Sequence, residues 1–192
     1  ESRELIRQVS SSPIEEHRTS DIVELCEGWP VALVMACTVA GPRPGDHGLG
    51  ELFAEYLAEE LLERQSPAVQ SFLVGTSVFP VLVPWACDAL LGIGNSRATL
   101  GELRRKNLVV EVPGAGKEVA YRSHTLLRRF LRDRLIVDRK DSMRELGASA
   151  GVLLRLEGYW EEALEIFSEV GAYDQAADLL GSVTAQLAVD ER

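Results

Sequence analysis

The feature that most restricts the fold is a single change of periodicity near the middle of the chain. Up to Lys106, and again after Ser123, apolar residues recur at spacings of three and four, the mark of one buried helical face. Between them stand two short runs rich in β-branched residues, 108–112 and 118–122, joined by Pro113-Gly114-Ala115-Gly116-Lys117. A five-residue link containing glycine between two such runs predicts a β-hairpin. The flanking helices follow from their punctuation. Ser66-Pro67 caps and opens a helix carrying Val69, Phe72 and Leu73, and Val83-Pro84-Trp85 opens another that ends near Gly92. Asn95-Ser96 caps a third, which runs through Leu100 and Leu103 to Lys106. Ser123 is placed to cap a closing helix with Leu126, Leu127, Phe130, Leu131 and Leu135 on its buried side. Helices, a hairpin and a closing helix in that order specify a winged-helix module.

Composition shifts set the boundaries of three segments. Residues 1–48 hold helical stretches and end in the Gly/Pro-rich link 41–48, where a helix cannot continue. Within them Thr19-Ser20-Asp21 supplies N-cap side chains for a helix reaching Glu27, Gly28 closes it, and Pro30 opens the next helix through Cys37. Residues 49–140 open on Leu49, Leu52, Phe53, Tyr56, Leu57 and Leu61, one apolar face, and continue into the winged-helix module. Residues 141–192 return to helical periodicity with an internal echo: Gly158-x-Trp160-x-x-Ala163-x-x-Ile166 repeats as Gly171-x-Tyr173-x-x-Ala176-x-x-Leu179, displaced by 13 residues. An aromatic at a helix start with a small alanine one turn on suits closely packed antiparallel helices of tetratricopeptide type, with a final helix from Ser182 to Val189. The fold class is therefore mainly α: a helical segment, a winged-helix module with a small β-hairpin, and tetratricopeptide-like helices. The first residues, from Glu1, read as the middle of a helix, and the chain is expected to be a piece of a longer protein.

Charge and cysteine usage exclude several functions. The formal charge is -10, yet residues 97–140 carry twelve Lys/Arg against five Asp/Glu. Within that basic block Arg104, Arg105 and Lys106 end the helix before the hairpin, where a DNA-binding winged helix places its reading helix. DNA binding is thus a rival reading, weakened by Glu111 and Glu118, which flank the wing and repel phosphates. The longest apolar stretch, residues 29–40, is too short to cross a bilayer, so no membrane role is expected. Cys26, Cys37 and Cys87 form no C-x-x-C pair and suit a reducing cytoplasm. Gly114-Ala115-Gly116-Lys117 imitates a phosphate-binding loop but lacks its first glycine, Glu111 standing there, and its terminal Ser/Thr, replaced by Glu118. His17, His47 and His124 are widely separated, and no hydrolase, metalloprotease or deaminase signature occurs. The chain is not expected to be an enzyme by itself, nor to hold a metal.

Three stretches carry a resemblance. Cys26-Glu27-Gly28-Trp29-Pro30-Val31-Ala32-Leu33 is similar to the E-G-W-P-x-x-L signature of the signal-transduction ATPases with numerous domains, in the branch of MalT-like, LuxR-type transcription regulators. Tyr56-Leu57-Ala58-Glu59-Glu60-Leu61-Leu62, Phe72-Leu73-x-x-Thr76-Ser77-Val78 and Leu103-x-x-x-Asn107-Leu108-Val109 resemble that family's winged-helix module. Residues 121–131, with Tyr121-Arg122-x-His124-x-Leu126, resemble its closing helix, Thr125 standing where the family usually has proline.

The resemblance implies a switch. ATP or ADP is expected in the full-length protein, on an ATPase core that this chain lacks, with no cofactor held by the fragment alone. Pro30, beside Trp29, would touch the adenine, and His124 would approach the phosphates of ADP. The implied partners are the intramolecular ATPase core and downstream helical repeats, with further protein–protein contacts, and DNA reached only through the parent protein. A tetratricopeptide-like interaction scaffold is the remaining alternative.

Overall fold

The computed structural model describes residues 57–115, 119–138 and 140–190, and upstream of them Glu4, Ile6, Gln8, Thr19, Ser20, Ile22, Val23, Cys26 and residues 29–39. The Gly/Pro-rich link at 41–48, the apolar face over 49–56, Asp21, Gly28, and Gly116, Lys117 and Glu118 of the hairpin connection lie outside the described residues. Among the described residues the fold is mostly helical with one small antiparallel sheet, as the sequence indicates. Proline at the first helical position, where an N–H has no partner to lose, opens α1 (Pro30–Val39), α2 (Pro67–Thr76) and α3 (Pro84–Leu91). A π-helical turn, Leu57–Leu62, precedes α2. Then follow α4 (Ser96–Arg105), β1 (Val109–Val112), β2 (Ala120–Ser123), α5 (Thr125–Asp138), α6 (Lys140–Leu156), α7 (Trp160–Glu169) and α8 (Tyr173–Asp190).

The contacts divide the chain into two units. One comprises residues 1–70 with 124–130, and its core includes Ile22, Cys26, Trp29, Leu33, Leu57, Leu61 and Leu127. The other comprises residues 71–123 and 131–192. In this second unit α3 packs on both α4 and α6, α4 packs on β1, and α7 packs on α6 and α8. The hairpin pairs Val109 with Ser123, Val110 with Arg122, Glu111 with Tyr121 and Val112 with Ala120. A further bridge, unexpected from the sequence, joins Leu82 to Tyr121: each backbone N–H donates to the other's carbonyl, at 2.7 and 2.9 Å. Only three residues separate Pro80 from Pro84 there, too few to show strand alternation.

One capping device recurs at four helix ends. The N–H of Ile93, Leu108, Tyr159 and Ala172 each donates to a carbonyl five residues back, across a residue with positive φ: Gly92 (66°), Asn107 (56°), Gly158 (81°) and Gly171 (69°). This is the closure that a left-handed residue permits, and asparagine is the side-chain-bearing residue most tolerant of it. The 13-residue echo thus records two successive closures and restarts, Gly158 before α7 and Gly171 before α8. Two expected N-caps differ from the sequence reading. Asn95 makes no side-chain cap; Asp88 of α3 instead accepts from the Ser96 N–H at 2.9 Å. Thr19 and Ser20 are themselves helical, not caps ahead of the helix. The helix expected to begin at Ser182 is the second half of α8, which continues through Gly181; the hydroxyls of Ser182 and Thr184 donate back to the Leu179 and Leu180 carbonyls within it.

Glycine has a second use where α6 meets α7. A Cβ built on Gly151 would stand 2.8 Å from Cδ1 and Cζ of Phe167, a fully buried ring, and one on Gly147 would collide with Val170. The two glycines sit one turn apart and let Phe167 of α7 and Val170, the residue just after it, reach the α6 backbone.

Candidate nucleotide-sensing site

The local chain explains where Trp29 and Pro30 stand. The Trp29 N–H donates to the Cys26 carbonyl at 2.8 Å. The Trp29 carbonyl then accepts from the Leu33 N–H at 2.9 Å, so Trp29 is the residue from which α1 starts. Its indole is buried, 5% exposed, whereas Pro30 is exposed on the first turn of α1.

His124 holds the equivalent place on α5. Strand β2 ends at Ser123, and the His124 carbonyl accepts from the Arg128 N–H at 2.9 Å. The cap is its own imidazole: Nδ1 accepts from the Leu126 N–H at 3.4 Å, so the side chain expected to cap α5, Ser123, is not the one that does. Thr125 is the first residue of α5, a position that proline favours, which reconciles threonine with the family's usual residue.

The structure brings Trp29 and His124 together. Their ring centroids are 5.0 Å apart and their planes differ by 14°, a stacked pair. The separation exceeds the roughly 3.5–4 Å of direct carbon contact, so the rings are offset, the arrangement that aromatic quadrupoles favour. Two motifs far apart in the chain thus meet through the residues that begin two helices. No periodicity announces this contact; only the resemblance named both residues.

The basic block has a different fate. Arg104 pairs with Glu111 at 2.6 Å across α4 and β1, while Arg105 and Lys106 are exposed. Arg122 of β2 reaches Glu162 at 3.6 Å, and Arg132 of α5 reaches Glu169 at 2.8 Å, the latter pair with side chains only 20% and 31% exposed. Guanidinium groups of the block are therefore turned toward carboxylates of the same chain. Sequence reading missed the roles of Glu162 and Glu169, which lie on a helix rich in acidic residues and carry no distinguishing signal. The hairpin turn at Pro113, Gly114 and Ala115 and the start of α7 at Tyr159, Trp160, Glu161 and Glu162 enclose an open cleft of about 390 Å³. Carboxylates on its rim suit no phosphate.

Cys26, Cys37 and Cys87 are free and buried. Burial, with Cys37 nearby, pushes the Cys26 thiol up to about 11, and burial beside Asp88 raises Cys87 still further, so both stay protonated and unreactive near neutral pH. Among the described residues no three His, Cys, Asp or Glu side chains cluster as metal ligands, and no helix is long and apolar enough to cross a membrane.

Residues 58–144 match the family of the MalT winged helix domain. The match begins in the π-helical turn before α2 and ends within α6, taking in the hairpin and all of α5. The chain is also 27% identical over 161 residues, 80% of its length, to the serine/threonine-protein kinase PknK of two Mycobacterium tuberculosis strains and of Mycobacterium bovis. It spans 14% of the length of those relatives. Residues 58–144 are accordingly similar to a MalT winged helix domain, with described helices on both sides of them.

Proposed function

We propose that the chain is the regulatory part of a nucleotide-dependent switch, a MalT-like transcription regulator in which a winged helix reports the nucleotide state of an adjoining ATPase core to downstream helices. The observation that carries the reading is the Trp29–His124 stack. It joins the residue that presents Pro30 to the residue that begins α5, and it does so where two helices start, whose partial positive charge favours an anion. Exposed Pro30 offers a flat, uncharged ring for a purine, and His124 offers a donor for a phosphate oxygen. The chain holds neither a complete phosphate-binding loop nor a magnesium-binding acid in sequence, so it is a regulatory partner to the core and not the hydrolytic part.

The transmitting element on this reading is α5, whose residues up to Phe130 belong to one compact unit and from Leu131 onward to the other. The similarity to kinases named PknK favours a second reading of the output alone, in which the same switch governs a kinase. DNA binding by the winged helix itself is the less supported alternative, since Arg104 is held by Glu111.

Photolabelling with 8-azido-ADP tests the site in the intact regulator. The expected adduct lies on the peptide that contains Trp29 and Pro30. An adduct confined to other peptides, at saturating nucleotide, would remove the adenine contact.

A further inference from the structure

We infer that Trp29 is a positioning residue for His124, and that the indole and the Leu126 amide together preset the imidazole as a neutral donor through Nε2, suited to an anionic oxygen such as a phosphate. The inference rests on the phosphate-sensing reading for its use, but the state of the ring is a separate physical matter. Two constraints act on the imidazole. A nitrogen that accepts the Leu126 N–H at 3.4 Å carries no proton, and a neutral imidazole has one N–H, so that proton is on Nε2. A proton on Nδ1 would set two N–H groups against each other and leave the first turn of α5 uncapped.

The hydrogen bond alone does not fix the ring plane; the stack does. Trp29 is 5% exposed, and its backbone is tied on both sides, to Cys26 behind and to Leu33 ahead. Its indole is therefore a fixed platform, 5.0 Å from the imidazole centroid and 14° from its plane. A half-turn about the Cβ–Cγ bond would keep the stack but replace Nδ1 by a carbon opposite the amide. The indole thus selects the plane, the amide selects between the two flips, and one orientation and one tautomer remain. A ring prepared in this way loses little freedom on meeting its ligand, the usual benefit of preorganisation. The family resemblance assigns Trp29, Pro30 and His124 to one nucleotide site but does not imply direct contact between the two rings.

Two-bond nitrogen–proton correlation spectra of the chain at pH 8, where an ordinary imidazole is neutral, read the ring directly. The expected result is one Nε2–H tautomer for His124, with ring protons displaced upfield by the indole. Trp29→Leu should abolish that displacement and average the ring, and Trp29→Phe should restore both. An averaged or Nδ1-protonated ring in the unaltered chain, or ring shifts indifferent to Trp29→Leu, would overturn the inference. Should Trp29→Leu fail to fold, His124→Asn keeps an acceptor for the Leu126 amide; it must then shift the Trp29 indole resonances while α1 backbone amides stay in place, and unmoved indole resonances count against the stack. In the intact regulator, loss of a stack of this kind should speed ADP release by roughly 2- to 10-fold in Trp29→Leu and not in Trp29→Phe. If His124→Asn leaves ADP release untouched while the ring signature holds, the sensing role falls and the preset donor stands.

Discussion

Replacing Gly151 by alanine sets two known effects against each other. An alanine in the middle of a helix is intrinsically favoured over glycine by about 1 kcal/mol. Here the new methyl would meet the Phe167 ring, 2.8 Å from two of its carbons, and that ring is fully buried, with 0% exposure. Forcing an extra carbon into a filled core costs about 1–3 kcal/mol. The clash should offset the gain and at its upper end exceed it, leaving a net loss of up to about 2 kcal/mol, which at a slope of ~2 kcal/mol/M lowers the urea midpoint by up to roughly 1 M. Gly181 in α8 is the control, since a Cβ there meets nothing within 4 Å. Gly181→Ala should therefore gain about 0.5–1 kcal/mol from the same propensity term. Combining Gly151→Ala with Phe167→Leu should destabilise by less than the sum of the two single changes, because the smaller side chain vacates the contested space. Equal stabilisation by both alanines, at unchanged slope, would refute the close approach of α6 and α7.

Two further outcomes concern single contacts. Asp88→Ala removes the carboxylate that accepts from the Ser96 N–H and should cost about 1 kcal/mol in thermal unfolding, with Asn95→Ala nearly silent. The Cys26 thiol is raised in the folded chain from its ordinary value of 9.0 to about 11, so the folded state binds the proton more tightly than the unfolded state. Stability from this source is fully present below pH 9 and is lost as pH rises toward 11; Cys26→Ala should flatten that part of the stability profile relative to the unaltered chain.

Much of the fold is legible because its punctuation is local. Pro30, Pro67 and Pro84 each sit at a helix start, Ser66 Oγ takes the Val69 N–H at 3.4 Å, and Gly92 closes α3 as its position suggests. The hairpin is equally plain, since β-branched runs and a glycine-containing link leave few alternatives. What escapes a sequence reading is whatever a distant residue supplies. Asp88 caps α4 from the preceding helix, Leu82 bridges to Tyr121, and His124 displaces Ser123 as the cap of α5. Gly147 and Gly151 look like weaknesses in a helix until their neighbours Val170 and Phe167 are placed. The candidate site is the extreme case: Trp29 and His124 have nothing in their own surroundings to link them, and only a family pattern singled them out before the stack was seen.

The rate of ADP release from the intact regulator, compared between the unaltered protein and His124→Asn, bears most directly on the proposed switch. Asparagine is a good helix cap, so α5 should persist while the ring donor is lost. A charge-assisted hydrogen bond to phosphate is worth about 1.5–3 kcal/mol, and its removal should speed release by roughly 10- to 100-fold, with basal output raised. An unchanged release rate, with α5 shown to be intact, would contradict the claim that this histidine senses the nucleotide.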